Sequence, residues 1–290
     1  MADFDKLWNY NNPAETEERF RALLSEYNAE SNLPLHLELL TQIARTFSLR
    51  RMFNEAHELL DGVESKLSEK PSVAHVRYHL ERGRTFNSSG KKEEAKKEFV
   101  AAREIGEALK QDFYTIDAIH MLAIVAPHEE AIKLNEEGLL VAEASLHEGA
   151  KNWLGPLYNN LGWGYFDSGQ YEKALSIFLR SLQWRIEAAT KAGKETTPEV
   201  FIAKWCVART LRALNRLDEA LKVQLGLLEE MVEKDQPDGY VYEELGEIYL
   251  AKGEEVSKMY FGFAHTELGK DEWFAQNETA RLQRMKDLSA

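Results

Sequence analysis

The sequence predicts an all-α protein folded as a right-handed α-solenoid, a superhelix of about six helix pairs between capping helices. Its seven prolines stand near the starts of segments in which apolar residues recur at helical spacing, as after Pro34 and Pro198. Alternating strand patterns are scarce. A pattern of small and aromatic residues also recurs along the chain. Helix pairs that repeat in this way stack on their neighbours and bury a continuous core.

Composition and charge narrow the classes of function. The chain has 290 residues, and 44% of them are hydrophobic, which is enough to bury a core. Lys and Arg number 36 against 49 Asp and Glu, and this net charge of −13 disfavours non-specific binding to nucleic acid or anionic membranes. The single cysteine, Cys206, permits no intramolecular disulfide. The sequence shows neither a secretory signal nor a long apolar run, so we expect a cytoplasmic protein without a membrane span.

The clearest repeat unit is the segment Tyr158–Ser181. Its first half and its second half each have helical spacing, and a glycine turn separates them. The small residues Gly162 and Ala174 would let two antiparallel helices approach closely, while Tyr165 and Phe178 would fill the space beside them. This unit resembles the tetratricopeptide repeat, a helix pair that stacks into solenoids.

Five further segments follow the same pattern. The predicted copies are 34–69, 71–110, 112–148, 154–192, 198–235 and 238–269. In their second helices the small residue is Ala56, Ala95, Ala131, Ala174, Ala220 and Ser257, at spacings of 39, 36, 43, 46 and 37 residues. These spacings exceed the 34 residues of the minimal repeat, so the chain resembles the long-repeat type of kinesin light chain. It is also similar to uncharacterised tetratricopeptide-repeat proteins, which implies no function.

The copy at 112–148 is the least regular. Ala126-Pro127-His128 replaces its glycine turn, and we expect this turn to be shortened. Residues 1–33 and 270–290 lie outside the solenoid of 34–269, and both have helical spacing with many charges. We interpret them as an N-terminal capping segment and a C-terminal capping helix, which would cover the ends of the core.

Motifs that could carry catalysis or bind a metal are incomplete. Gly83–Lys91 has six residues between its glycines, whereas a phosphate-binding loop has four, so we interpret it as a repeat turn with Gly90 left-handed. His75 and His79 share a helix face but lack a third ligand. Cys206 has no nearby histidine and is interpreted as a small packing residue. The sequence therefore predicts no enzyme, no metal and no cofactor.

Ligand binding is expected on the inner curve of the solenoid. In the repeats that this sequence resembles, first-helix residues at fixed positions around the small residue face this curve. The candidate binding residues are Arg45, Arg84, Asn87, His120, Asn159, Asn160, Trp163, Phe166, Trp205, Arg209 and Arg212. Guanidinium groups can bind carboxylate or phosphate in bidentate geometry, and aromatic faces can bury apolar side chains. The alternative is that the arginines solvate this face or pair with Glu243, Glu244 and Glu247 of the sixth copy.

The predicted function is a non-enzymatic scaffold that binds a protein or an extended peptide in this groove. An anionic group on the partner is one option, and neither nucleic acid nor a membrane is an expected partner. Arg209 and Arg212 are expected to be exposed, so reversing their charge should weaken binding without unfolding the chain. Two alternatives stay open. One is a regulator that senses a small ligand or signalling peptide, and the other is an adaptor that self-assembles into homo-oligomers.

The resemblance also permits a test for one class of partner. Co-chaperone tetratricopeptide domains hold the acidic tail of a chaperone with lysine, asparagine and arginine side chains on three first helices. Asn160 matches the middle asparagine, but Ile202 and Cys206 stand where the lysine and arginine are needed. We therefore do not expect this chain to bind chaperone tails.

Overall fold

The computed structural model describes residues 2–290, which form α-helices and short 3-10 helices with no β-strand among them. The helices are α1 (Pro13–Ala22), α2 (Ala29–Leu49), α3 (Phe53–Glu64), α4 (Val73–Ser88), α5 (Lys92–Ala108), α6 (Asp112–Val125), α7 (His128–Ala144), α8 (Glu148–Lys151), α9 (Leu154–Asp167), α10 (Tyr171–Lys191), α11 (Pro198–Ala213), α12 (Leu217–Lys234), α13 (Gly239–Ala251), α14 (Ser257–Leu268), α15 (Glu272–Asn277) and α16 (Thr279–Leu288). The all-α fold class predicted from the sequence is confirmed. Among the same residues no helix is long and apolar enough to span a bilayer.

The helices fall into two compact units, unit 1 (Met1–Asn160) and unit 2 (Leu161–Ala290). Within unit 1, each helix from α2 to α7 packs on the next in the chain. Within unit 2, α11 packs on both α10 and α12, and α13 packs on α14. Packing between chain neighbours is the arrangement expected of stacked helix pairs. Each predicted copy contains two consecutive helices, while the exact bounds of the copies remain a prediction.

Glycine and phenylalanine set the distance between the helices of a pair. A Cβ atom on Gly162 would lie 2.4 Å from the ring of Phe178, and one on Gly83 would lie 2.4 Å from Phe99. Only glycine allows such close contact, as predicted for Gly162. The turn that follows α4 ends at Gly90, whose φ of 86° is the left-handed conformation expected there.

The third copy differs from the prediction in its second helix. Ala131 is only half-buried, whereas Asn135 is 5% exposed. Asn135 follows Ala123 by twelve residues, the same separation as between Gly162 and Ala174. The turn between α6 and α7 has two residues, against three between α4 and α5 and between α9 and α10, so the expected shortening is confirmed. Because Pro127 starts α7 early, the turn is also displaced by about one helical turn.

The N-terminal segment lies against the first helices of unit 1. Phe4 is buried with Phe20, and the carboxylate of Asp5 accepts two hydrogen bonds from Arg77 of α4, one of them at 3.0 Å. The Trp8 indole donates a hydrogen bond to Gln42 Oε1 of α2 at 3.0 Å. The segment therefore brings its own polar and aromatic side chains to the face where binding residues were predicted.

Candidate functional site

Four charged side chains alternate in sign across α2, α4 and α6 in unit 1. Arg84 donates a 2.7 Å hydrogen bond to Glu81 and a second, shorter one to Asp117. The other oxygen of Glu81 lies 3.6 Å from Arg45 Nε. Glu81 and Asp117 are buried, so the predicted binding residue Arg84 is occupied by carboxylates of its own chain.

The two arginines of this group differ in how well their charge is compensated. Burial disfavours the Arg84 cation, but Asp117 and Glu81 outweigh burial and raise the pKa of Arg84. For Arg45, burial is the larger effect, and it lowers the pKa despite the charge of Glu81. Among the described residues Arg45 makes no hydrogen bond, and its ion pair with Glu81 is longer than the contacts of Arg84, so its guanidinium is the less fully engaged of the two.

A cavity of about 210 Å³ lies beside these charges. We call it the unit 1 cavity; its walls come from the N-terminal segment, α2, α4, α6 and the residue before α9. It is lined by Asp5, Trp8, Tyr10, Gln42, Arg45, Arg77, Leu80, Glu81, Arg84, Phe113, Tyr114, Asp117 and Trp153. The rings of Trp8 and Tyr10 stack with centroids 4.7 Å apart. The cavity therefore combines paired charges with aromatic walls.

The remaining predicted residues of unit 1 are amides and a histidine. Asn160 Nδ2 lies 3.3 Å from His120 Nδ1, and the His120 ring packs 5.2 Å from the ring of Trp153. Burial lowers the pKa of His120, which favours the neutral imidazole. Asn87 and Asn159 are half-buried on α4 and α9.

In unit 2, the predicted arginines pair with a carboxylate of the next first helix. Glu244 of α13 is fully buried, and it accepts hydrogen bonds from Arg209 at 3.3 Å and from Arg212 at 3.2 Å. The side chains of Arg209 and Arg212 are 26% and 24% exposed. The expectation that both arginines are exposed is therefore wrong. The alternative, in which they pair with the glutamates of the sixth copy, is observed for one of these glutamates, Glu244. A buried carboxylate needs such partners to stay charged.

Five aromatic side chains form a continuous row in unit 2. From Phe166 the row passes to Trp163 at a centroid distance of 5.2 Å, then to Trp205 and Tyr240, each at 6.2 Å, and to Phe274 at 5.9 Å. We call this row the aromatic ladder. Its members from Trp163 onward come from α9, α11, α13 and α15. Tyr240 is 41% exposed, and the rings before it are half-buried.

Two arginines lie over faces of the ladder. The guanidinium of Arg209 is 5.3 Å from the ring centre of Trp205, and that of Arg281 is 5.6 Å from Tyr240. Arg281 also donates a 2.7 Å hydrogen bond to Glu243. These cation–π contacts and ion pairs hold the rings in place.

Several of these side chains were not predicted as binding residues. Tyr240 and Phe274 extend the ladder beyond Trp205, while Trp8, Tyr10 and Trp153 form walls of the unit 1 cavity. The sequence feature that could have identified Tyr240 is an aromatic residue near the start of the first helix of a repeat. Trp8 and Tyr10 gave only the weaker signal of large rings in a polar segment.

The incomplete motifs have structural roles. His75 accepts a hydrogen bond from the Ser72 backbone N–H at 3.1 Å and so helps cap α4, and His79 pairs with Glu98 at 2.7 Å. Within residues 2–290 no three metal-binding side chains converge. Cys206 is buried, and burial raises the pKa of its thiol to about 12.

The clearest repeat unit, Tyr158–Ser181, lies within a segment that matches a protein family model. The family model described as tetratricopeptide repeat matches residues 155–185. Residues 155–185 are a tetratricopeptide repeat. No curated protein matches the chain.

Solved structures with the same fold are distant in sequence. A signal-transduction ATPase with a tetratricopeptide repeat sensor from Pyrococcus horikoshii superposes with a TM-score of 0.73 at 17% identity, over 95% of this chain and 42% of that one. The apo form of the quorum sensor NprR from B. thuringiensis superposes with a TM-score of 0.58 at 17% sequence identity, over 97% of this chain and 83% of that one. Putative kinesin light chain repeats from Podosopora anserina superpose with a TM-score of 0.56 at 19% sequence identity, over 71% of this chain and 99% of that one. This likeness shows the predicted solenoid fold and its similarity to kinesin light chain repeats.

Proposed function

We propose that the chain is a cytoplasmic, non-enzymatic module that binds an extended peptide of a partner protein along the aromatic ladder. The observation that carries this proposal is the row of partly exposed rings on α9, α11 and α13, from Phe166 to Tyr240. Tryptophan and tyrosine are enriched among the residues that dominate binding energy at protein interfaces, because each offers a large and rigid apolar face.

The arginines of unit 2 support the ladder and do not form an anion site. Arg209 and Arg212 direct hydrogen bonds to Glu244, and Arg281 directs its own to Glu243. A carboxylate or phosphate of a partner would have to compete with buried carboxylates for these donors. We therefore propose a partner peptide recognised through apolar and aromatic side chains spaced to match the rings.

Peptide affinity measured on two single variants tests this proposal. A peptide would be selected against the full chain from a random library and its affinity measured by calorimetry. Tyr240→Ser removes the exposed ring of the ladder. Trp273→Ser is the control, because it removes an aromatic side chain of α15 that is 63% exposed and lies outside the ladder. We expect the first variant to weaken binding about tenfold or more, since truncating a dominant interface residue has that effect, and the second to leave binding unchanged. Equal affinities for both variants and the natural chain would refute the ladder as the binding site.

Sensing of a small ligand is a second candidate function. It is favoured by the unit 1 cavity, which is lined by residues of unit 1 and includes Arg45, whose guanidinium pairs with Glu81 but makes no hydrogen bond. A self-assembling adaptor is the remaining alternative from the sequence, and sedimentation at two protein concentrations distinguishes it from both binding functions.

A further inference from the structure

An open groove runs along α2 and α3 in unit 1, and we call it the α2–α3 groove. Its volume is about 400 Å³, and its apolar residues Leu40, Phe47 and Leu59 are half-buried. A Cβ atom on Gly62 of α3 would meet nothing within 4 Å, so the space above this helix is empty. The full lining is Leu40, Phe47, Glu55, Glu58, Leu59, Gly62 and Lys66. An apolar strip beside empty space and rimmed by charges is typical of an interaction site.

An equivalent groove, of about 650 Å³, lies in unit 2 between α10 and α12. On α12 five positions line it, counted from the small residue Ala220: one before it and two, three, six and ten after it. On α3 the residues of the α2–α3 groove stand at the same five positions around Ala56. The two grooves are therefore the same surface of two different repeats. The lining residues of α12 are Glu219, Lys222, Val223, Gly226 and Glu230.

The two grooves differ in their far wall. In unit 2 this wall is α10, the second helix of the preceding repeat, which contributes Leu175, Leu179 and Leu182. Among residues 2–290, the helix that precedes α2 is α1, which packs on α2 but contributes no residue to the lining of the α2–α3 groove. A solenoid stacks each second helix beside the next. The α2–α3 groove therefore has the position and the shape to accept one more helix.

Ion pairs between second helices indicate the charge that such a helix would carry. Within unit 1, Arg103 of α5 pairs with Glu137 of the next second helix, α7. Glu137 stands two residues after the buried Asn135, and Glu58 stands two residues after the buried Ala56, so Glu58 is its counterpart on α3. Glu58 is exposed and makes no ion pair among residues 2–290. A helix in the α2–α3 groove would therefore place a basic side chain opposite Glu58.

We propose that the α2–α3 groove binds an amphipathic helix of a partner protein, which takes the place of the second helix of a preceding repeat. Its apolar side chains have the i, i+4 spacing of Leu175 and Leu179 on α10. Its basic side chain is at i+7, the position of Leu182 on α10 and of Arg103 on α5. These residues share one helix face, as in other helices that bind in grooves. The site is independent of the extended peptide proposed on the aromatic ladder.

A fluorescent peptide with the sequence of α10, residues 171–191, tests the proposal when it carries Leu182→Arg. Titration with the full chain, followed by anisotropy, should show saturable binding. The same peptide with Leu182→Glu should bind about fivefold more weakly, because it places a like charge beside Glu58. On a chain with Glu58→Arg this preference should disappear, although the chain as a whole stays acidic. An undiminished preference on that chain would show that the peptide does not face Glu58, and the proposal would be wrong.

Two matched variants then assign the peptide to the α2–α3 groove. Gly62→Phe fills this groove and should weaken binding about tenfold or more, while circular dichroism stays that of the natural chain. Gly226→Phe is the control, because it stands at the same position of α12, where α10 already forms the far wall, and should leave affinity unchanged.

Three results would overturn the proposal. The first is no saturable binding at about 1 mM chain, and the second is equal affinity for the Gly62→Phe and Gly226→Phe chains. The third is sedimentation of the chain alone as a dimer that Gly62→Phe dissociates, since a second copy would then be the occupant. Tyr240→Ser should leave binding of this helical peptide unchanged, which separates this site from the aromatic ladder.

Discussion

Glu244 illustrates how a single buried carboxylate determines the roles of its neighbours. It is fully buried on α13, and both Arg209 and Arg212 of α11 donate hydrogen bonds to it. Burial opposes the Arg212 cation, but hydrogen bonding and charge from Glu244 outweigh burial and raise its pKa. The two arginines therefore contribute to the packing of α11 on α13 instead of forming a free basic surface.

Removing this carboxylate should destabilise the protein. Glu244→Ala leaves two partly buried guanidinium groups without their partner, and the expected loss of unfolding free energy is about 3 kcal/mol. Urea unfolding followed by circular dichroism measures the loss. Glu219→Ala is the control, because Glu219 pairs with Arg216 on the surface, and its unfolding midpoint should stay at that of the natural chain. Equal midpoints for both variants would show that Glu244 adds nothing to stability.

Cys206 should resist alkylation in the native protein. Its thiol is buried and has a pKa raised to about 12, so the reactive thiolate is scarce at neutral or mildly alkaline pH. Iodoacetamide labelling followed by mass spectrometry should be slow in buffer and fast in urea. Equally fast labelling in both would contradict the buried position of Cys206.

At the scale of helices, close pairing depends on residues without side-chain bulk. Gly162→Ala places a Cβ atom 2.4 Å from the ring of Phe178, and the expected cost is about 1–3 kcal/mol of unfolding free energy. Gly226→Ala is the matched control within another helix of unit 2, because a Cβ there meets nothing within 4 Å. That variant should be stabilised by about 0.5–1 kcal/mol, since alanine favours helix over glycine. Thermal unfolding compares them, and two shifts of the same sign would contradict the packing described for Gly162.

The sequence was sufficient to predict helix pairs but not the partners of their polar side chains. Gly162 and Phe178 could be predicted because they belong to a local pattern within one repeat. Asn135 was missed because Pro127 starts α7 early and displaces the turn. The pairing of Arg212 with Glu244 depends on the register of two helices that are distant in sequence, so the sequence could only offer it as an alternative.

The N-terminal segment shows a second limit of prediction from repeats. Trp8 and Tyr10 belong to no repeat, so their positions could not be obtained by counting from a small residue. The segment is part of unit 1, where Phe4 and Phe20 pack with Leu39 and Ile43 of α2, and Asp5 accepts a hydrogen bond from Arg77 of α4. Residues 1–33 were interpreted only as a cap, and their part in the cavity could be found only from the structure.

At the scale of the whole molecule, acidic residues outnumber basic ones, and the arginines beside the ladder already have carboxylate partners within the chain. The net charge is −13, and the arginines beside the ladder are bonded to Glu243 and Glu244. Peptide binding on the ladder should therefore depend little on long-range charge. Raising the salt from about 0.05 M to about 0.5 M is expected to change the affinity of a selected peptide by less than about threefold. A loss of about a hundredfold, measured by calorimetry, would indicate an electrostatic site elsewhere.

A fold of stacked helix pairs supports many functions, so the fold alone does not identify the binding site. The position of a bound peptide does. The most direct test is photo-crosslinking of a selected peptide that carries benzoylphenylalanine, followed by mass spectrometry of the full chain. The aromatic ladder predicts crosslinks to α9, α11 and α13 near Trp163, Trp205 and Tyr240. Crosslinks confined to α10, α12 and α14 would place the peptide on the second helices and contradict the proposed binding site.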